Sequence, residues 1–539
     1  MGNTGVPVTA GGEDTQVVIV GGGPVGMLLA AELGAYGVDT VVLEVRATTS
    51  DRPKATTVHA RTVQCLARRG YFPAPDASAE GTVSRLFHFA GLPGLRITAP
   101  ASEPEPLLKE TQAALERSFE ARARAVGARV LRGYRATRAR QSPEGVDVTA
   151  EGPEGVRVFR AAYLVGADGS RGAVRAWAGI TADTRPATVS ALMGLVRFMG
   201  ERVPPLGWHR TRRGWIVTKA MADGRVLVRT LDWKGGHCDR NAPVTPDELR
   251  DRVSWIAGHD VEMASASRLS RFSDFARRAD SYRAGRVLLV GDAAHVHFPI
   301  GGQGLSTGLL DALNLGWKLA FTVRGTAGAD LLDTYHDERG PAARRVIDNT
   351  SVQVALMRPG PELDPLRALF AGLLAGDEAD EAKEGDDGES GDEGRAGGEG
   401  RAGGEGRAGG EGGARHLSDM ISGQGTVVAP RSVRSSWWEG RFLRNTALLT
   451  ESGPANVIGL LRGGRPLLLL FGERGLPYAA DARGWAHVLR VVRTEPVPAL
   501  PCAALLVRPD GYVAWAPEGG AAAGAGLGEA LRDWFGAPR

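Results

Sequence analysis

Gln16-Val17-Val18-Ile19-Val20-Gly21-Gly22-Gly23-Pro24-Val25-Gly26 is the stretch that decides the fold of this chain. Its first five residues are almost wholly apolar, the pattern of a short strand buried on both faces. Glycines at 21, 23 and 26 follow, then a small, apolar helical stretch at 27–36 and a second strand-like run at 38–44. This is a β-turn-α-β unit. The glycines allow a tight turn and a close backbone approach, and the helix presents its N-terminus to a pyrophosphate. Pro24 and Val25 complete the turn. Glu44 lies 18 residues beyond Gly26, at the end of the second strand. There a carboxylate accepts hydrogen bonds from a ribose diol and repels a 2′-phosphate. The unit predicts a dinucleotide site.

Two further stretches end a buried strand on an aspartate. Tyr163-Leu164-Val165-Gly166-Ala167-Asp168-Gly169 puts a carboxylate at the edge of a sheet, although an Asp-Gly pair alone reads as an ordinary turn. Residues 286–292 repeat the pattern with Asp292 and lead into Phe298-Pro299-Ile300-Gly301-Gly302-Gln303-Gly304-Leu305. That glycine-rich loop exposes several backbone N–H groups and opens a long helix over 304–323. Such a helix N-terminus stabilises negative charge developing on a bound ring.

Around these motifs the chain divides by composition. Residues 1–14 read as a flexible tail, and 15–182 as the first part of a nucleotide-binding domain with an excursion near 75–105. Within it a helix is predicted over 107–126 and strands over 129–133, 146–150, 156–160 and 163–166. Residues 183–270 alternate and carry Trp208, Trp215, Trp233 and Trp255, predicting a mostly antiparallel substrate sheet. The nucleotide domain resumes over 271–375. Residues 376–414 are a low-complexity linker that includes three copies of Glu-Gly-Arg-Ala-Gly-Gly from Glu393. Residues 415–539 form a last α/β domain, with a strand over 467–471 and a hairpin built on 504–507 and 512–515.

The 539 residues suggest three or four domain-sized units. A hydrophobic fraction of 43% and a charged fraction of 24% are ordinary for a soluble protein. The 65 basic and 62 acidic side chains nearly cancel, which gives no case for a nucleic-acid or membrane partner. Apolar runs are only strand-sized, and the first residues lack a basic region leading into an apolar one, so no secretory signal is expected. Cys65, Cys238 and Cys502 have no CxxC or metal-ligand spacing, which predicts a reducing, cytoplasmic setting. His295 and His297 lack a third ligand at a recognisable spacing, so no metal is expected. Cys65 reads as core, and each tryptophan as core or substrate-pocket lining.

In order and context the three motifs resemble those of the FAD-dependent class A aromatic monooxygenases, over most of residues 15–350. Arg61-Thr62, residues 107–117 and Asn314-Leu-Gly-Trp-Lys-Leu-Ala320 resemble the aromatic polyketide and phenol hydroxylases among them. The resemblance implies an α/β, para-hydroxybenzoate-hydroxylase-like fold. Its parts are a Rossmann-like FAD domain, an inserted, mostly antiparallel substrate sheet and a C-terminal thioredoxin-like domain, here without CxxC. It also implies that Gly21, Gly23, Pro24, Val25 and Gly26 hold the FAD pyrophosphate and Glu44 the adenosine ribose. Lys54 and Gln112 would contact the flavin, and Asp168 would serve both FAD and the nicotinamide nucleotide. Asp292 would take the ribityl and pyrophosphate portion, with Pro299, Gly301, Gly302, Gln303, Gly304 and Leu305 along the isoalloxazine. Lys54 stands where relatives usually have Arg, Thr111 where they usually have Pro, and Ser306 where they commonly have Asn.

The implied activity is insertion of one oxygen atom of O₂ into an aromatic, polycyclic polyketide through a flavin C4a-hydroperoxide, with NADPH or NADH as transient reductant. That places the chain in antibiotic biosynthesis. Baeyer–Villiger and epoxidising enzymes share the fold, and a flavin-binding accessory protein without turnover is the reading from another class. No catalytic acid or base is assigned, and a homodimer is left open. A halogenase is disfavoured because there is no Trp-x-Trp-x-Ile-Pro segment.

Overall fold

The computed structural model describes residues 12–51, 54–234, 242–375, 408–431, 436–517 and 526–539. Cys238, most of the N-terminal tail and residues 376–407 of the linker lie outside the described residues. The core is a sheet of parallel strands in the spatial order Val287–Leu289, Gly155–Gly166, Glu13–Val20, Thr40–Glu44, Arg129–Arg132. Val17, Val18, Ile19, Val41 and Val42 are fully buried in it, because helices cover both faces of a parallel sheet. The register Val20↔Leu43 sets the glycine turn beside Glu44.

Helix Pro24–Ala35 packs against helices Gln112–Ala125 and Gln303–Val323. Gly26 makes the strand–helix junction feasible, since a Cβ there would lie 2.0 Å from the Gly21 carbonyl oxygen. The predicted helix over 107–126 begins later than expected. Leu107–Leu108 instead pairs with Val58–His59, and the helix starts at Gln112, with Thr111 accepting from the Ala114 N–H at 3.2 Å. The runs read as two strands, 156–160 and 163–166, form one strand, Gly155–Gly166.

The inserted sheet has five antiparallel strands in the order Gly207–Arg210, Gly214–Ala220, Val226–Asp232, Ser190–Met199, Glu262–Ser273. One face is closed by a helix absent from the sequence reading, Pro246–Ala257, which buries Leu249, Val253 and Ile256 against Leu192, Val196, Ile216 and Val228. Its signals are local: Thr245 caps the Glu248 N–H, Pro246 opens the first turn, and Gly258 closes it in the left-handed region. The other face looks back towards the nucleotide domain. A bulge at 268–269 opposite Gly194 places Arg268 at φ 52° and turns its side chain to the Asp51 carbonyl.

The C-terminal domain carries the thioredoxin-like order Arg490–Thr494, Leu467–Phe471, Ala504–Val507, Val513–Trp515. Its first pair is parallel and the rest are antiparallel. Helix Gly472–Asp481 follows its central strand, with no cysteine at the start. Helix Ala408–Ser422 begins inside the stretch read as linker and packs on helix Asp364–Ala375. The domain is docked through buried charge. Arg508 donates to both Glu338 carboxylate oxygens at 2.8 Å and pairs with Asp510 at 2.5 Å, while Lys318 reaches Glu338 at 3.0 Å. No helix among the described residues is long and apolar enough to cross a membrane.

Candidate active site

The carboxyl ends of the parallel strands open into a cavity of about 1610 Å³ that extends to the inner face of the antiparallel sheet. All the predicted cofactor residues line it except Gly26 and Gln303. Gly26 lies behind the turn, where it permits the close packing. The Gln303 side chain is turned away, accepting from Asn349 at 2.6 Å and donating to the Ile421 carbonyl at 3.3 Å. Its side chain therefore ties the helix start to helices Asp333–Met357 and Ala408–Ser422 rather than facing the cavity.

Each motif arrives with its polar groups arranged. Glu44 accepts from the Gly22 N–H at 2.7 Å and the Arg46 N–H at 2.8 Å, which fixes the carboxylate at the mouth of the glycine turn with lone pairs to spare. Asp168 accepts from the Val174 N–H at 3.0 Å through one oxygen, while the other is buried without a partner. Burial raises its carboxyl above the ordinary range. Asp292 follows strand Val287–Leu289 in a short 3-10 turn and projects into the cavity. Desolvation by the cavity walls raises its carboxyl, against the charges of His295, Lys54 and Arg277. Lys54 thus presents its charge to Asp292.

The loop 299–302 reaches helix Gln303–Val323 through Gly301 at φ 72° and Gly302 at φ 63°, a left-handed pair that favours glycine. No side chain caps this helix, whose N-terminus lies at the cavity edge beside Gly302 and Gly304. His59 holds the loop by donating Nε2–H to the Gly301 carbonyl at 2.8 Å, and the His59 N–H donates to Ser306 Oγ at 3.0 Å. Ser306 therefore ties the start of the long helix to the chain at His59. Gln112 donates its N–H to the Ala55 carbonyl at 3.0 Å, bringing its side chain to the cavity.

A carboxylate beside a glycine turn, an orphaned buried oxygen on Asp168 and an uncapped helix N-terminus fit a dinucleotide cofactor at this end. Towards the antiparallel sheet the walls become aromatic. His88 packs between Phe87 at 4.7 Å and Trp208 at 4.5 Å, and Phe272 stacks on Phe298 at 5.7 Å. Of the four tryptophans, Trp208 lines the cavity, and Trp215 donates to the Met357 carbonyl at 2.7 Å behind it. Trp233 packs beside them, whereas Trp255 lies on the opposite face of the sheet. Burial lowers His59, His88 and His297 each to about 4, so all three are neutral at pH 7. Among the described residues no group of three or more His, Cys, Asp or Glu side chains could hold a metal. His59, Phe87, His88, Lys109, Arg229 and Arg268 were not singled out from the sequence. Most carry no local signal, but Arg229 interrupts the apolar alternation Leu227, Leu231 on one strand face.

The chain belongs to the FAD binding domain family, which matches residues 14–350, and the aromatic-ring hydroxylase C-terminal family matches residues 436–538. It is an FAD-dependent monooxygenase of the aromatic hydroxylase type. The 12-dehydrotetracycline 5-monooxygenase/anhydrotetracycline 6-monooxygenase of Streptomyces rimosus is 35% identical over 97% of this chain and 99% of its own. Dialkyldecalin synthase of Streptomyces rugosporus is 35% identical over 96% of this chain and 98% of its own. Among solved structures, the anhydrotetracycline hydroxylase OxyS of Streptomyces rimosus gives a TM-score of 0.81 at 34% identity, covering 98% of this chain and 100% of that one.

Proposed function

We propose that this enzyme inserts one oxygen atom of O₂ into a polycyclic aromatic, polyketide-type substrate, with NADPH or NADH as the reductant. The observation that carries the reading is the continuity of one cavity from the Gly21–Gly23 turn, past the loop at 299–304, to the wall of Phe87, Trp208, Phe272 and Phe298. A flat, apolar ring system suits such a wall. Bound flavin supplies the reduction of O₂ and the oxygen transfer. The chain orients and shields. Glu44 and the glycine turn fix the adenosine end, and Asp292 and Lys54 face each other across the middle. The N-terminus of helix Gln303–Val323 stabilises negative charge on the ring. The aromatic wall excludes water from the reacting face. Both described cysteines are buried and unpaired, which suits a cytoplasmic protein.

The test is NAD(P)H oxidation by the purified yellow protein with and without polycyclic phenols, with mass spectrometry of the product. Substrate-stimulated oxidation and a gain of one oxygen support the reading, and the position of that oxygen separates hydroxylation from lactone or epoxide formation.

A further inference from the structure

Arg229 stands in the middle of a largely apolar wall with no paired anion among the described residues. It lies on the central strand Val226–Asp232, paired with Val217 on one side and Met193 on the other. Outward along the same register, Val217 pairs with Trp208 and Met193 with Ser270. All five side chains line the cavity, so one cross-strand row, Trp208–Val217–Arg229–Met193–Ser270, spans the sheet. Leu227 and Leu231 share the face of Arg229 along its own strand.

Neither a hydrogen bond nor an ion pair joins this guanidinium to any other described residue. The carboxylates that line the cavity, Glu44, Asp168 and Asp292, belong to the three cofactor motifs at the ends of the parallel strands. The nearby ionisable side chains add to the positive charge. Lys219 lies on the same sheet face, two residues along from Val217, and Lys109 across the cavity is lowered by burial and then by the charge of Lys219. Burial also lowers Arg229. Arginine nevertheless stays charged, with five donors in a planar fork that matches a carboxylate. A half-buried, unpaired cation opposes folding unless something else meets it.

We propose that Arg229 is a specificity-determining residue that anchors an oxygen anion on the substrate: a carboxylate, or an ionised enol or phenol conjugated to the ring system. The inference rests on the monooxygenase reading for the identity of the ligand as substrate. An anion held there lets the attached rings lie along Trp208 and the Phe272–Phe298 pair. The apolar neighbours of Arg229 keep water away and so strengthen the charge-assisted contact.

The experiment uses the FAD-loaded protein without reductant, titrated with anthraquinone-2-carboxylate and with its methyl ester while the flavin absorbance is followed. The acid is expected to bind about tenfold tighter or better, the span of a charged hydrogen-bonded pair. Arg229→Met should level the two ligands, and Arg229→Lys should keep a smaller preference, with flavin content unchanged in both. Equal occupancy of acid and ester in the wild type, whether both bind or neither does, overturns the proposal, as does a preference that survives Arg229→Met. The wild-type comparison decides even where a variant fails to fold. With NADPH or NADH added afterwards, preference for the acid but no oxygenated product from any ring-hydroxylated acid would overturn the polyketide-oxygenation reading alone. Oxygenation of a ring-hydroxylated acid and its ester with equal KM would overturn the anchor alone.

Discussion

Asp311 Oδ2 lies 2.6 Å from His295 Nε2, and both side chains are almost completely buried. The same oxygen accepts from the Gly291 N–H at 3.1 Å, and Oδ1 accepts from Arg339 Nε at 2.8 Å. One carboxylate on helix Gln303–Val323 therefore fixes the turn that carries Asp292.

Burial alone would raise the Asp311 carboxyl, but the His295 and Arg339 charges outweigh it and hold the group below the ordinary range. Asp311→Ala leaves Arg339 buried and uncompensated, and is expected to cost about 3–5 kcal/mol in denaturant unfolding. Asp311→Asn keeps the volume and should still lower FAD retention by loosening the Gly291–Asp292 turn. Wild-type flavin content in Asp311→Asn would separate the pair from the cofactor.

Glu44→Ala removes the acceptor for the Gly22 N–H as well as the proposed ribose contact. Loss of charge-assisted hydrogen bonds should weaken FAD binding about 10–100-fold, read as the flavin-to-protein ratio after dialysis. An unchanged ratio sinks the ribose assignment.

Arg508→Met should destabilise the chain by about 3–5 kcal/mol, because Glu338 and Asp510 lose their bidentate partner inside the domain interface. Adding Glu338→Gln and Asp510→Asn to the same chain should recover part of the loss. Scanning calorimetry checks both. A triple variant no more stable than the single one would show that the cluster does more than neutralise itself.

Acid should weaken the fold in two windows. His59, His88 and His297 are lowered by burial to about 4 from 6.5, so between those values the unfolded chain binds more protons and stability falls as pH falls. Burial alone would raise Glu338, but Arg508 and Lys318 outweigh it and bring it to about 2 from 4.5. Its contribution is complete above about 4.5 and is lost as pH falls towards 2. Urea midpoints measured from pH 7 to 2.5 should show both slopes, with Glu338→Gln flattening only the lower one. Above pH 6 the three imidazoles should add no step to a rate profile.

Much of the cofactor end was legible in the sequence because its signals are short-range. The apolar run at 16–20, the glycine spacing and Glu44 lie within thirty residues, and strand pairing brings them together wherever a parallel sheet forms. The loop at 299–304 reads directly as a helix start. Some local signals were there to read and were missed: Thr245-Pro246 and Gly258 bound a helix inside a region read as sheet. The start at Gln112 was hidden for another reason, since Leu107–Leu108 is committed to a strand by Val58–His59, some fifty residues away.

The sequence alone determined a dinucleotide fold with a strand-edge aspartate and a glycine-rich loop at a helix start, since periodicity and turn chemistry act between neighbours in the chain. Only the tertiary structure decided that Gln303 turns away from the cavity while Ser306 and His59 brace the loop. It likewise joined Asp311 to His295 and Arg339, and left Arg229 without a partner among the described residues in a largely apolar row. The burial of a charge and the identity of its partner depend on which distant segments close around it, and that is settled by packing rather than by any local pattern.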